Sequence, residues 1–94
     1  MIVAAPPPPT TIVAAVKAVY PRSPIRIVRI CRVAQLALVR LRVKERESFV
    51  ALEAVRGGWR TIWIDGRVAR RVPPAERPAV EDAVGRLRTR CLAP

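Results

Sequence analysis

The sequence predicts an α+β fold with an N-terminal helix, a four- to five-stranded antiparallel meander and a C-terminal helix. Two dipeptides, Gly57-Gly58 and Asp65-Gly66, separate apolar runs within residues 49–72. Such dipeptides favour two-residue hairpin turns, because the central positions of these turns need positive φ. Upstream of this region apolar and polar residues alternate, which indicates further strands. Near both ends of the domain, apolar residues recur at helical spacing.

The first helix follows a short stretch rich in proline. Its apolar residues Ile12, Ala15, Val16 and Val19 recur at i, i+3, i+4 and i+7. Thr10 or Thr11 is placed to cap its N-terminus. Tyr20-Pro21 is expected to end it, because a residue that precedes proline is disfavoured in the helical region.

The second helix is expected over residues 74–92. Its acidic side chains lie toward the start and its arginines toward the end, which is the arrangement that the helix dipole favours. Gly85 lies inside it and either weakens the helix by about 1 kcal/mol or allows a close approach to the sheet. The apolar stripe of this helix is Val80, Ala83, Val84, Leu87 and Cys91.

Residues 1–9 are interpreted as a proline-rich extended leader and residues 10–94 as a single domain. The start of the chain lacks the basic and apolar regions of a signal peptide. No apolar run approaches the roughly 18 residues that a membrane-spanning helix needs. We therefore expect a soluble, cytoplasmic protein without a membrane span.

The strands predicted at residues 25–33 and 37–44 define two faces of the sheet. A connection near residues 34–36 with Val33 opposite Ala37 brings one apolar set to a single buried face. This set is Ile25, Ile27, Cys31, Val33, Ala37, Val39, Leu41 and Val43. Arg29 falls among it, so Arg29 is expected to reach the sheet margin, find a partner or mark a β-bulge.

Loop lengths extend this register through the rest of the meander. A four-residue loop at residues 45–48 and the two glycine turns predict that both tryptophans face the core, which we favour over a role as base-stacking platforms. The expected cross-strand pairs are Val43–Val50, Leu41–Leu52, Val39–Ala54, Trp63–Leu52, Trp63–Val68, Trp59–Val72 and the ion pair Glu53–Arg40.

The reverse face of the sheet is predicted to be basic. The chain has a formal net charge of +11, almost all of it from arginine. The residues expected to bind a polyanion there are Arg26, Arg32, Arg40, Arg42, Lys44, Arg60, Arg67 and Arg71. Guanidinium groups pair bidentately with phosphates and carboxylates. The alternatives are a solvated sheet face and an arginine excess caused by the codon bias of a high-GC genome.

The same face carries an apolar set, Phe49, Val55, Ile62 and Ile64. A monomer rarely leaves such a set bare. The sequence therefore predicts a partner for it, which is a second copy of the chain, another protein or a nucleic acid. In the alternative arrangement, the C-terminal helix covers part of this set.

Few residues are available for catalysis or for binding a cofactor. The chain has no histidine, seven acidic residues and no glycine-rich phosphate loop. We expect neither enzyme activity nor a cofactor or a small-molecule substrate. The two cysteines, Cys31 and Cys91, are too few for a zinc site. They form either a disulfide or two buried free thiols, and the second interpretation is favoured.

The run GGWRTIWIDG completes a pattern of a helix, a proline break, IRIVR and the strands near residues 37–39 and 49–52. This pattern, over residues 10–66, resembles small cystatin-like or NTF2-like domains of high-GC bacteria, in which an antiparallel meander wraps a helix. The resemblance implies a mostly non-catalytic class and transfers no functional residues. This chain differs from that class in its basicity, its C-terminal helix and its lack of an export signal.

Residues 49–91 also resemble the small DNA-binding domains of phage integrases, whose sheet enters the major groove. The leading functional hypothesis is a small binding protein for a polyanion, most of all nucleic acid. The alternative is a protein-interaction module. That module is either a homodimeric cystatin-like domain or a phage-type inhibitor or assembly protein that binds an acidic protein surface.

Overall fold

The computed structural model describes residues 9–92 and confirms the predicted α+β architecture. The elements are α1 (Ile12–Val19), β1 (Ile25–Val33), β2 (Leu36–Val43), β3 (Arg46–Val55), β4 (Gly58–Ile64), β5 (Arg67–Val68) and α2 (Arg77–Cys91), with a 3-10 turn at Pro74–Glu76. The strands form one antiparallel meander in the order β1-β2-β3-β4-β5. Most of the predicted leader lies outside the described residues.

The two helices cover opposite faces of the sheet, which we name the α1 face and the α2 face. Val16 of α1 packs with Val39, Leu41 and Val50 in one buried cluster. Leu87 of α2 packs with Leu38 and other residues in the second cluster. The expectation of a single buried face was therefore wrong, because α2 turns the reverse face into a second core.

Each of the four hairpins closes with a two-residue turn. Ala34, Lys44 and Asp65 adopt positive φ of 54°, 58° and 45°, so residues other than glycine serve in three of the turns. The predicted four-residue loop at residues 45–48 is wrong, since Val43 pairs with Arg46. This change shifts β3 by four residues.

The shift replaces most of the predicted cross-strand pairs. Val39 lies opposite Val50 instead of Ala54, and Arg40 lies opposite Phe49 instead of Glu53. The predicted pair Trp63–Val68 is confirmed. The predicted pair Trp59–Val72 does not form, since Trp59 lies opposite Ala54 in β3.

Two β-bulges set which face each side chain reaches. The register shifts in β1 between Ile27 and Arg29, and in β4 between Thr61 and Trp63. One extra residue, Val28 or Ile62, reverses the alternation of the residues that follow it. A β-bulge was one of the three alternatives predicted for Arg29, and the structure confirms this one.

The β4 bulge places the two tryptophans on opposite faces. Trp59 is half-buried against the α1 cluster, and Trp63 is 8% exposed within the α2 cluster. Each ring also lies beneath a guanidinium, Arg32 at 4.9 Å from Trp59 and Arg88 at 5.6 Å from Trp63. Their predicted core packing is confirmed, but they do not share one face.

The end of α1 is fixed by a chain of polar contacts. Tyr20 Oη lies 2.5 Å from Ser48 Oγ, which donates to Asp65 Oδ2 at 2.7 Å. Asp65 Oδ1 accepts from the backbone N–H of Phe49 at 2.9 Å. Ser48 is 3% exposed, so this chain satisfies a buried hydroxyl and joins α1 to β3 and the β4–β5 turn.

Cys31 of β1 and Cys91 at the end of α2 form a disulfide, with 5.9 Å between their Cα atoms. The interpretation of two free thiols was wrong. It failed because Cys31 follows the β1 bulge, which turns its side chain from the α1 face to the α2 face. No helix among residues 9–92 has the length and apolar character needed to cross a membrane.

Candidate polyanion interface

Four arginines form two cross-strand pairs at one end of the sheet. Arg26 lies directly opposite Arg42, and Arg29 directly opposite Arg40. Arg40 and Arg42 alternate with Val39, Leu41 and Val43, which pack on the α1 face. The two pairs therefore project from the α2 face, and all four residues are exposed. We name these four residues the arginine cluster.

The cluster lies just beyond the end of α2. This helix packs mainly over β2, β4 and β5, and its last residue, Cys91, is bonded to β1 beside Arg29. A shallow cleft of about 40 Å³ marks the boundary, and Arg29, Arg40, Phe49 and the disulfide line it. This cleft is too small for a base or a sugar, so the exposed cluster rather than the cleft is the candidate site.

The spacing of the cluster follows from β geometry. Neighbouring strands are about 4.8 Å apart, and two residues along a strand span about 6.8 Å. The four side chains therefore start from a patch of about 5 Å by 7 Å, so their guanidiniums are able to contact one polyanion. Like charges directly opposite each other destabilise a sheet by a few tenths of a kcal/mol or more.

One carboxylate, that of Glu47, offsets part of this repulsion, since Glu47 lies directly opposite Arg42 in β3. Arg40 donates to Glu47 Oε2 from Nε at 2.9 Å and from Nη2 at 2.6 Å. Both partners are nearly half exposed, so water screens the pair and its contribution is small. Within residues 9–92, Arg26, Arg29 and Arg42 take part in none of the ion pairs.

Five of the predicted basic residues lie away from the cluster. Arg32 follows the β1 bulge and covers Trp59 on the α1 face. Arg60 pairs with Glu53 at 2.6 Å and Glu76 at 3.7 Å, which ties β4 to β3 and to the turn before α2. The other three are Lys44 in the β2–β3 turn, Arg67 in β5 and Arg71 beyond it. The prediction that all eight share one face was wrong.

Arg26, Arg40 and Arg42 were correctly predicted to share a face, whereas Arg29 was missed as a member of the site. Strict alternation assigns Arg29 to the buried side. The sequence did carry a signal for this placement, since a charged residue within an apolar series indicates a change of register.

The predicted apolar partner surface is largely interior. Ile62 is 1% exposed beneath α2, and Phe49 packs half-buried against the same cluster. Ile62 was therefore wrongly assigned to an exposed interface. Val55 and Ile64 are half-buried, so this set forms no open apolar patch. The C-terminal helix covers the part of this set formed by Ile62 and Phe49, as the alternative arrangement predicted. Ile64 lies opposite Val50, so its assignment to this face was wrong.

No family model matches the chain, and no curated protein or solved structure matches it significantly. The fold and the site define its class: an α+β domain whose antiparallel meander lies between two helices and carries an exposed arginine cluster. Membership of the cystatin-like or NTF2-like domains stays a prediction.

Proposed function

We propose that this protein is a non-enzymatic binding protein whose arginine cluster contacts a polyanion, and that the polyanion is nucleic acid. The observation that supports the proposal is that the arginine cluster forms two cross-strand pairs on an exposed sheet face. We call these pairs, Arg26–Arg42 and Arg29–Arg40, the two arginine rows. An anion between the two guanidiniums of a row replaces their repulsion by two attractive contacts.

Arginine suits this role better than lysine. Its planar guanidinium presents paired N–H donors that match two oxygens of one phosphate. Two rows along the strands hold two successive anionic groups, which a phosphodiester chain supplies at regular intervals. The net charge of +11 adds a long-range attraction that speeds the encounter with a polyanion.

The test is a salt titration of binding to a short oligonucleotide. We expect the affinity of the native protein to fall as salt rises, since each neutralised phosphate releases counterions. The variant Arg26→Gln/Arg42→Gln is expected to bind more weakly and to lose about two units of the log–log salt slope.

The matched control is Arg86→Gln/Arg90→Gln, which removes the same charge from the outer face of α2. The control is expected to keep most of the native salt slope. Equal losses in both double variants would show that net charge, and not the cluster, determines binding. No detectable binding by the native protein at low ionic strength would refute the proposal.

A second candidate is a protein-interaction module, favoured by the edge strand β1. Val28 and Ile30 in this strand are 49% and 39% exposed, and among residues 9–92 β1 pairs with β2 alone. An exposed strand edge is able to accept a further strand. If β1 mediates a homodimer, the mass from size-exclusion chromatography doubles, and Ile30→Glu restores the monomer. Ile62 is unsuitable for this test, because its substitution would disturb the core.

A further inference from the structure

We infer that the Cys31–Cys91 disulfide is a redox-sensitive clamp that regulates the arginine cluster. The inference rests on the proposed polyanion binding. Cys31 lies two residues along β1 from Arg29, and its neighbour across the strands, Leu38, lies two residues from Arg40. Both cysteines line the same cleft as Arg29 and Arg40. The disulfide is thus adjacent to one of the two arginine rows.

β1, the strand that contains Cys31, has few other contacts that hold it in place. Within the part of the chain that the structure describes, β1 is an edge strand that pairs only with β2, and the bulge at Val28 interrupts that pairing. Both Arg–Arg rows join β1 to β2, so charge repulsion acts on the same strand pair. The main contacts of α2 are with β2, β4 and β5. The disulfide is therefore the covalent link between β1 and the α2 layer.

Reduction is expected to loosen β1 locally rather than to unfold the domain. Edge elements with few buried contacts open at lower free energy than the core of a protein. β2, β3 and β4 keep the ladders between them and the α1 cluster, which contains neither cysteine. Cys31 and Cys91 both pack in the α2 cluster, so the last turn of α2 is expected to loosen together with β1. A loosened β1 no longer holds Arg26 and Arg29 opposite their partners.

The chemistry needs an external dithiol. Thiolate attack on the disulfide passes through a mixed disulfide, and the second thiol of the reductant then displaces the remaining protein sulfur. The S–S bond breaks, Cys31 and Cys91 each gain one electron and one proton, and the reductant becomes a cyclic disulfide. Cys31 is only half-buried at the cleft, which gives the reductant access.

Redox state and binding are coupled because the disulfide and the bound polyanion both favour a β1 that is closed onto β2. The disulfide restrains β1 before the anion arrives, so the oxidised protein binds with less ordering cost. By reciprocity, a bound polyanion favours the oxidised form. A reducing cytoplasm, the predicted location, rarely preserves structural disulfides, and bonds that form there are usually transient or redox-sensing.

The experiment compares the affinity of the oxidised and dithiothreitol-reduced protein for one single-stranded oligonucleotide. We expect reduction to weaken binding by at least about fivefold, the lower end of typical coupling between sites. The variant Cys31→Ser/Cys91→Ser is expected to bind like the reduced protein and to ignore the reductant. Hydrogen exchange of the reduced protein is expected to lose more protection in β1 and the last turn of α2 than in β2–β4.

Two outcomes overturn the inference. Equal affinity of the oxidised and reduced forms would remove the regulatory role while leaving the proposed function intact. An equal loss of exchange protection in all elements would show that the disulfide stabilises the whole fold and does not act on β1 in particular. If the oxidised protein binds no oligonucleotide, the result refutes the proposed function instead. The hydrogen-exchange measurement then remains the test of whether reduction opens β1.

Discussion

At the scale of single residues, a few positions carry conformations or contacts that the rest of the fold depends on. Val28 and Ile62 are the extra residues of the two bulges, and each reverses the alternation beyond it. Asp65 adopts positive φ in a hairpin turn while its carboxylate accepts from Ser48 and from the Phe49 N–H. Such residues determine which neighbours meet, so their effects extend beyond their own contacts.

Gly85 offers a direct gain in stability. It is exposed within α2, and an added Cβ would meet no atom within 4 Å. Close approach to the sheet therefore does not explain it. Gly85→Ala is expected to raise the free energy of unfolding by about 0.5–1 kcal/mol in urea denaturation, because alanine loses less backbone entropy in a helix. Gly66→Ala is the matched control and is expected to destabilise, since Gly66 has φ of +94°.

Tyr20 is expected to make the free energy of unfolding depend on pH in the alkaline range. Burial raises its pKa above the ordinary value of 10.0, and the nearby Asp65 carboxylate acts in the same direction, while the hydrogen bond with Ser48 opposes them. The folded protein thus favours the neutral phenol. This contribution is complete below pH 10 and is lost as the pH rises through the folded pKa.

The expected result is a decrease in the free energy of unfolding above pH 10 that is smaller in Tyr20→Phe. Tyr20 is the only tyrosine, so tyrosinate absorbance follows its ionisation directly. An identical pH dependence in Tyr20→Phe would contradict the assignment.

At the scale of elements, the β1–β2 hairpin combines weak pairing with high charge. A bulge, an exposed edge and two like-charged rows all lie on one strand pair. Charges and bulges blunt a free edge, so these features weigh against the β1 homodimer that is the second candidate function. The hairpin is thus the element in which binding and stability are expected to oppose each other.

Arg26→Glu tests this opposition. The new carboxylate lies opposite Arg42, so we expect the free energy of unfolding to rise by about 0.2–1 kcal/mol. The same variant is expected to bind the oligonucleotide more weakly, because one row loses its anion-binding character. Arg70→Glu makes the same change of charge beyond β5 and is expected to change binding less. Unfolding in urea and fluorescence titration measure the two effects.

At the scale of the whole molecule, a sheet between two single helices leaves two small cores in place of one large one. A domain of this length buries a modest fraction of its surface and has a narrow margin of stability. The disulfide closes a loop over a sequence separation of 60. In the chain-entropy model, such a loop contributes about 4 kcal/mol by restricting the unfolded chain.

Reduction is therefore expected to lower the free energy of unfolding by about 4 kcal/mol. Urea denaturation of the oxidised and reduced protein measures this difference. The variant Cys31→Ala/Cys91→Ala separates the effect of the bond from the effect of the reductant. A loss well under 1 kcal/mol would indicate that the unfolded chain is already compact.

The architecture was predictable because turn residues and periodicity are local signals. The dipeptide Asp65-Gly66, the alternation in the strands and the apolar spacing of both helices predicted the order of the elements. The turn predicted at Gly57-Gly58 lies instead at Arg56-Gly57, since Val55 pairs with Gly58. Positive φ at Ala34 and Lys44 carries no comparable signal, and these two turns set the register of β2. The loop lengths inferred without them shifted β3 by four residues.

The candidate site was predictable only in part. Arg26, Arg40 and Arg42 follow simple alternation, so their shared face was evident. Arg29 and Arg32 lie beyond the bulge, where one inserted residue exchanges the faces. The disulfide was the less favoured of two alternatives, and it forms because the same bulge turns Cys31 toward the α2 face.

Because Trp59 and Trp63 lie on opposite faces of the sheet, tryptophan fluorescence is able to follow each face separately. Trp59 packs beside the α1 layer, and Trp63 packs beneath α2 next to Arg88. A Trp59→Phe variant keeps a fluorophore that senses only the α2 layer, and Trp63→Phe keeps one that senses only the α1 layer. Stopped-flow traces of the two variants would reveal which helix docks first during folding, without any added label.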